Sequence, residues 1–335
     1  MAVFLHHFYA IRTGAIDNVL FKCLAHIFKA GYLGVDFFFT LSGFLITSIL
    51  ISRSSFDLGR FYQKRVLRIV PLYLLIVGFS YLLLPRLMGH DIHLPPLVYV
   101  LSFTANFFFA FHGNNFLFAI VILWSLSIEM QFYLVWGFVL RFFKAHLYLL
   151  TVAVIIASIV LKYFLAGKCS YYFITISYMP NFMIGALGAK LLHDGKLGFG
   201  SIHRGMKLLI YAGIIAVFVL TPFLNPFFFW KMAYNIIFAV FSIAVILDQC
   251  SEGSLFEAGR AGLISHLGKV SYGIYCFQGF VLPLYTLYAL PHLINYGWIF
   301  NAIVAPVVLF AITGSLASIS FRYYESFFLR WKAHK

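Results

Sequence analysis

The sequence predicts an all-α, polytopic membrane bundle of about ten helices, and three observations predict it. Of 335 residues, 63% are hydrophobic and only 10% charged, where ordinary soluble domains carry about a quarter charged residues. The mean hydropathy of +0.95 means more apolar surface than a soluble core can hide, so lipid must solvate most side chains. The apolar residues also run in segments of roughly twenty, the length of helix that crosses a ~30 Å hydrocarbon layer.

Taken in order, the predicted spans are an N-terminal piece at 1–11, then 31–52, 66–85, 117–140, 147–165, 171–191, 206–222, 229–247, 270–290 and 298–321. The first piece reaches only about half the crossing length. The stretch 95–112 is apolar, but it opens with Pro95-Pro96 and contains Asn106. It is either an eleventh span or an interfacial, re-entrant segment. The basic residues decide between these. If 95–112 does not cross and the N-terminus is cytoplasmic, the inner loops and tail hold 17 of the 24 Lys and Arg and the outer loops 7, a clear positive-inside bias. A full crossing at 95–112 would invert every later loop and remove the bias. No polar linker interrupts the apolar segments, so residues 1–335 read as one transmembrane domain without an appended soluble one.

Several function classes are excluded. A net charge of +14 suggests nucleic acid only where the charges form a stripe, and here they are scattered over short loops. Cys23, Cys169, Cys250 and Cys276 show neither a disulfide framework nor zinc spacing, and no metal site is expected. The start lacks the basic n-region of a cleavable signal peptide. Aromatics make up 20% of the chain, with 41 Phe, which suits lipid-facing packing and interfacial belts.

Against this apolar background, ionisable residues inside spans stand out. Asp36 lies near the outer end of its span in GVDFFFTLSGF, and Glu129 near the middle of another in WSLSIEMQFYL. A bare carboxylate at mid-bilayer costs at least ~2.5 kcal/mol, so such groups are paired, neutral or functional. His6 and His7 stand in tandem in the first piece, and imidazole is suited to moving protons near neutral pH. In RFYQKRVLRIVP, Arg60 and Lys64 are explained by topology alone. Arg65 and Arg68 share a helix face at i,i+3, and their guanidiniums match phosphate oxygens. These features suit an enzyme that passes a group across the membrane, or a transporter or flippase for a lipid-linked glycan. The transporter reading predicts internal repeats with paired broken helices, and no such self-similarity is visible. A non-catalytic sensor or scaffold assigns no chemistry to the buried charges.

Taken together and in this order, HHFY, GYLGVDFFFTLSGFLITSIL, RFYQKRVLRIVPLYLL, WSLSIEMQFYL, MPNFMIGAL, LGKVSYGIYCF and RYYESFFL resemble the acyltransferase 3 family of membrane O-acyltransferases. The resemblance covers nearly the whole chain. It implies ten spans in the bacterial inner membrane with both termini cytoplasmic. It also implies transfer of an acyl group, commonly acetyl, from cytoplasmic acyl-CoA to a carbohydrate hydroxyl at the outer face, with no permanently bound cofactor. The family's histidine falls on His7, with His6 the alternative because the doublet leaves the register open. Its arginines fall on Arg65 and Arg68, as ligands of the coenzyme A phosphates. Its acidic residue falls on Glu129, and Asp36 and Ser42 match the phrase in the second helix. The histidine would deprotonate the acceptor or carry the acyl group, and Glu129 would orient the imidazole and stabilise its cation.

Three positions depart from the family pattern. The arginine about eleven residues before the histidine has no counterpart, Gln278 stands where a histidine is usual after SYGIY, and Ser326 follows Glu325 where Lys or Arg is usual. The first departure raises the expectation of in-frame coding sequence before Met1, supplying ten or more mostly apolar residues and that arginine.

Overall fold

The computed structural model describes residues 1–10, 18–52, 57–88, 92–165, 168–224, 228–257, 259–260 and 262–331, and no strand occurs among them. Of the basic residues counted above, Arg12, Arg53, Lys332 and Lys335 lie outside the described residues. The helices are α1 (Ala2–Ala10), α2 (Val19–Phe28), α3 (Leu33–Ile51), α4 (Leu58–Leu82), α5 (Leu84–Met88), α6 (Leu97–Leu101), α7 (Ala105–His112), α8 (Phe118–Val121), α9 (Trp124–Phe143), α10 (Leu147–Leu165), α11 (Met179–His193), α12 (Arg204–Leu220), α13 (Phe228–Gln249), α14 (Gly262–Leu284), α15 (Leu290–Leu293), α16 (Gly297–Ile299), α17 (Ala305–Ser320) and α18 (Ser326–Arg330).

Among the described residues, six helical stretches are long and apolar enough to cross a membrane: Val19–Ile51, Leu58–Leu87, Phe118–Leu165, Arg204–Phe223, Gly262–Leu293 and Gly297–Arg330. A shorter apolar helix covers Ala233–Gln249. The chain is therefore an all-α, multi-pass membrane protein. Phe118–Leu165 holds 48 residues, about 72 Å if straight and more than twice the hydrocarbon thickness. It breaks at Phe143 (φ −116, ψ 17), ahead of a 3-10 turn at Lys144–His146, and so supplies the two spans expected at 117–140 and 147–165.

Two expectations are refined. The span expected over 171–191 is helical only from Met179, preceded by 3-10 turns at Tyr171–Phe173 and Thr175–Tyr178. Pro180 explains this, because inside a longer helix it would remove a backbone donor and clash with the preceding turn. In the first turn of α11 the missing N–H is harmless. Within 95–112, α6 and α7 have 5 and 8 residues, separated near Phe103 at φ 55. Neither is long enough to cross.

The chain forms two compact units. One comprises Met1–Gly31, Gly59–Ser127 and Gly262–Lys335. Its core gathers Phe4, Phe8, Tyr9 and Phe21 against Leu282, Tyr285, Ala302 and Leu309. Tyr9 stacks on Phe28 with centroids 5.3 Å apart and donates its hydroxyl to the Ala302 carbonyl at 2.7 Å. The other unit comprises Tyr32–Leu58 and Ile128–Ala261. Here α3 crosses α11 at backbone contact. A Cβ on Gly43 would strike the Phe182 carbonyl, and one on Gly185 the Thr40 carbonyl. Reciprocal glycines of this kind let helices pack without a hydrophobic driving force from water.

Candidate functional site

The candidate residues fall into separate clusters in the two units. In the first, α1 carries both histidines, which differ in what they touch. His6 Nδ1 lies 3.0 Å from the Phe28 carbonyl. A carbonyl only accepts, so this nitrogen carries the proton, and His6 ties α1 to the end of α2. Gly31 permits the approach, since a Cβ there would lie 2.6 Å from that of His6. His7 sits edge-on to Phe118, centroids 4.9 Å apart, with the Gln278 carboxamide in reach of its ring. Among the described residues, neither His7 Nδ1 nor Gln278 Oε1 has a hydrogen-bond partner, although both atoms are buried. The doublet left open by the sequence is thus unequal, with one imidazole engaged and the other holding a spare nitrogen.

Arg68, in α4, donates to the Lys269 carbonyl at 2.9 Å and lies 5.4 Å from the Phe321 ring centroid. It also pairs with Glu325 at 3.9 Å. Glu325 ends a π-helical turn, Phe321–Glu325, a device that re-aims side chains and is frequent at functional sites. The Arg68 side chain as a whole keeps 30% of its surface exposed. Arg65 lies 5.8 Å from the Phe61 ring centroid.

In the second unit, Glu129 is buried in α9. Ser42 donates to its Oε1 at 3.0 Å, Tyr133 donates to the same oxygen, and Tyr133 also reaches Ser42 Oγ at 3.2 Å. Tyr133 is one turn from Glu129, so α9 presents both on the face that meets α3. Asp36, in the first turn of α3, is buried and takes the Asn181 amide on Oδ1 at 3.1 Å. Lys162 of α10 interacts with it electrostatically. The structure thus joins Glu129 to Ser42, and Asp36 to Asn181 and Lys162. Among the described residues, no group of three His, Cys, Asp or Glu is arranged to hold a metal.

Sequence reasoning passed over two buried acids. Glu325 appears there only as the motif residue that precedes the departure at Ser326. Asp248, at the end of α13, pairs with buried Lys207 at 2.9 Å and takes Tyr211 and the Leu255 amide at 3.0 Å each. The available signal is an acid that borders an apolar run with a lysine just inside another.

The chain is 25% identical over 346 aligned positions to the O-acetyltransferase OatA of Staphylococcus aureus, covering 93% of this chain and 55% of that protein. It is 29% identical over 341 positions to the peptidoglycan O-acetyltransferase OatA of Listeria monocytogenes, covering 89% and 51%. The chain spans about half the length of these relatives. No solved structure is significantly similar. The acyltransferase domain profile of the acyltransferase 3 family matches residues 1–319, a range that contains the histidine pair, both arginines, Glu129 and Asp36, and the chain therefore belongs to that family.

Proposed function

We propose that this chain is a membrane O-acetyltransferase of the bacterial inner membrane, with both termini in the cytoplasm. It moves an acetyl group from cytoplasmic acyl-CoA to a hydroxyl of a carbohydrate at the outer face. The carrying observation is the family match over residues 1–319; the names of the two OatA relatives support acetyl transfer, and that of the Listeria relative a glycan acceptor.

In this reading His7 is the general base, supported by an Nδ1 that has no hydrogen-bond partner among the described residues. It removes the acceptor hydroxyl proton as the oxygen attacks the thioester carbonyl. The new C–O bond forms, the C–S bond breaks, and the proton returns to the departing thiolate. Base assistance is typically worth ~10²–10⁴-fold. Arg68 and Arg65 hold the phosphates of the donor, and Arg68 keeps its orientation through Glu325. Glu129 is a positioning carboxylate, held in turn by Ser42 and Tyr133.

The test is purified protein in lipid vesicles with radiolabelled acetyl-CoA and chitotetraose. Label should appear in the sugar with stoichiometric release of free coenzyme A. Absence of coenzyme A release would overturn the reading, and donor-independent passage of the sugar would favour a transporter.

A further inference from the structure

The second unit holds a partly open cavity of about 410 Å³, within the size range of small-molecule sites. Tyr32 and Asp36 line it at the start of α3, Lys162 at the end of α10, Tyr171 ahead of α11, and Tyr234 and Asn235 in α13. The charge asymmetry of the loops assigns every one of these helix ends to the outer face.

The lining restricts what fits. Among the described residues, Asp36 and Lys162 are the only charged side chains on the wall, and they interact with each other, so the described lining is close to neutral. That disfavours a coenzyme A pyrophosphate, which needs several unbalanced cations. An acyl chain is disfavoured too, because it offers no hydrogen to the buried Asn235 carboxamide oxygen. Asn235 Oδ1 is a buried acceptor with no partner among the described residues, so a ligand that brings it an O–H or N–H would satisfy it. Tyr32 donates to the Tyr234 hydroxyl at 2.9 Å, and Lys162 Nζ lies 5.3 Å from the Tyr171 ring centroid. Phenol faces, a carboxamide and a balanced ion pair suit a molecule with flat C–H faces and hydroxyls that both donate and accept.

The geometry points to this cavity as the acceptor site, taking a neutral or singly charged pyranoside that donates a hydroxyl or amide hydrogen to Asn235. The assignment rests on the acetyl-transfer reading for the word acceptor, and the cavity's chemistry alone argues for a sugar.

Chitotetraose and maltotetraose binding to the full chain in lipid nanodiscs, measured by calorimetry beside acetyl-CoA binding, tests it. The wild type should bind at least one sugar. Asn235→Ala should weaken that binding up to about tenfold, the worth of one lost hydrogen bond, and Lys162→Met should weaken it as well. Acetyl-CoA affinity should stay unchanged in both, which also reports that the variants fold. Binding of neither sugar by the wild type, or unaltered sugar binding in both variants, would overturn the assignment. Failure of the acetyl-transfer reading shows separately, as wild-type protein that binds sugar without releasing coenzyme A.

Discussion

At the scale of single residues, what decides a role is whether its polar atoms are already occupied. His6 gives its Nδ1 proton to the Phe28 carbonyl, whereas His7 keeps a buried nitrogen without a partner among the described residues. His7→Ala should therefore lower the transfer rate about 10²–10⁴-fold with normal membrane insertion. His6→Ala should mainly lower thermal stability, by about 1 kcal/mol for the lost hydrogen bond. Rates from coenzyme A release and melting by detergent-phase gel filtration separate the two. Equal loss of activity with unchanged melting in both would reverse this assignment. Arg68 is a second case, because its guanidinium has an internal partner as well as a proposed substrate. If it binds donor phosphates, Arg68→Lys should raise the Kd for acetyl-CoA several-fold, because lysine lacks the bidentate fork, and Glu325→Gln should do so more weakly. Should Glu325→Gln match Arg68→Lys in every readout, Arg68 would serve the ion pair alone.

Elements in this protein are held by contacts that tolerate little change. The α3–α11 crossing depends on Gly43 and Gly185 meeting carbonyls of the opposite helix. Gly185→Ala should push the helices apart and cost about 1–3 kcal/mol, as overpacking does, seen as a lower melting temperature. An unchanged melt would mean that the crossing relaxes freely. The Lys207–Asp248 pair binds α12 to the end of α13, and the Lys207 ammonium also donates to the Gly253 carbonyl at 2.9 Å. Lys207→Met leaves the buried carboxylate without its cation and should cost about 3 kcal/mol, the lower end for a broken buried pair, because Tyr211 and the Leu255 amide still donate to Asp248. Adding Asp248→Leu should restore part of the loss, and a double variant worse than Lys207→Met would refute the pairing argument.

For the whole molecule, orientation follows from the distribution of charge. In a background with all four cysteines replaced, Ser254→Cys should label only from the cytoplasmic side and Arg86→Cys only from outside. Labelling of both from one side would defeat the ten-span topology. The all-α membrane class was legible in the sequence because it depends on composition and segment length, which bilayer thickness converts into helices. The family was legible because its phrases are local and ordered along the chain. Pro180 is visible in the sequence, but that the α-helix begins beside it at Met179 and not at 171 is seen only in the structure. The candidate residues could be named from their cost in lipid, but not sorted. Which histidine is engaged, that Arg68 meets Glu325, and that Glu129 rests on Ser42 all depend on partners tens to hundreds of positions away. The same holds for the cavity, whose Asp36, Lys162 and Asn235 are polar points in separate apolar runs. Composition and spacing determined that these groups sit in or beside the membrane. Only the tertiary structure decided their partners, because hydrogen bonds and ion pairs form between neighbours in space and leave no period in the chain.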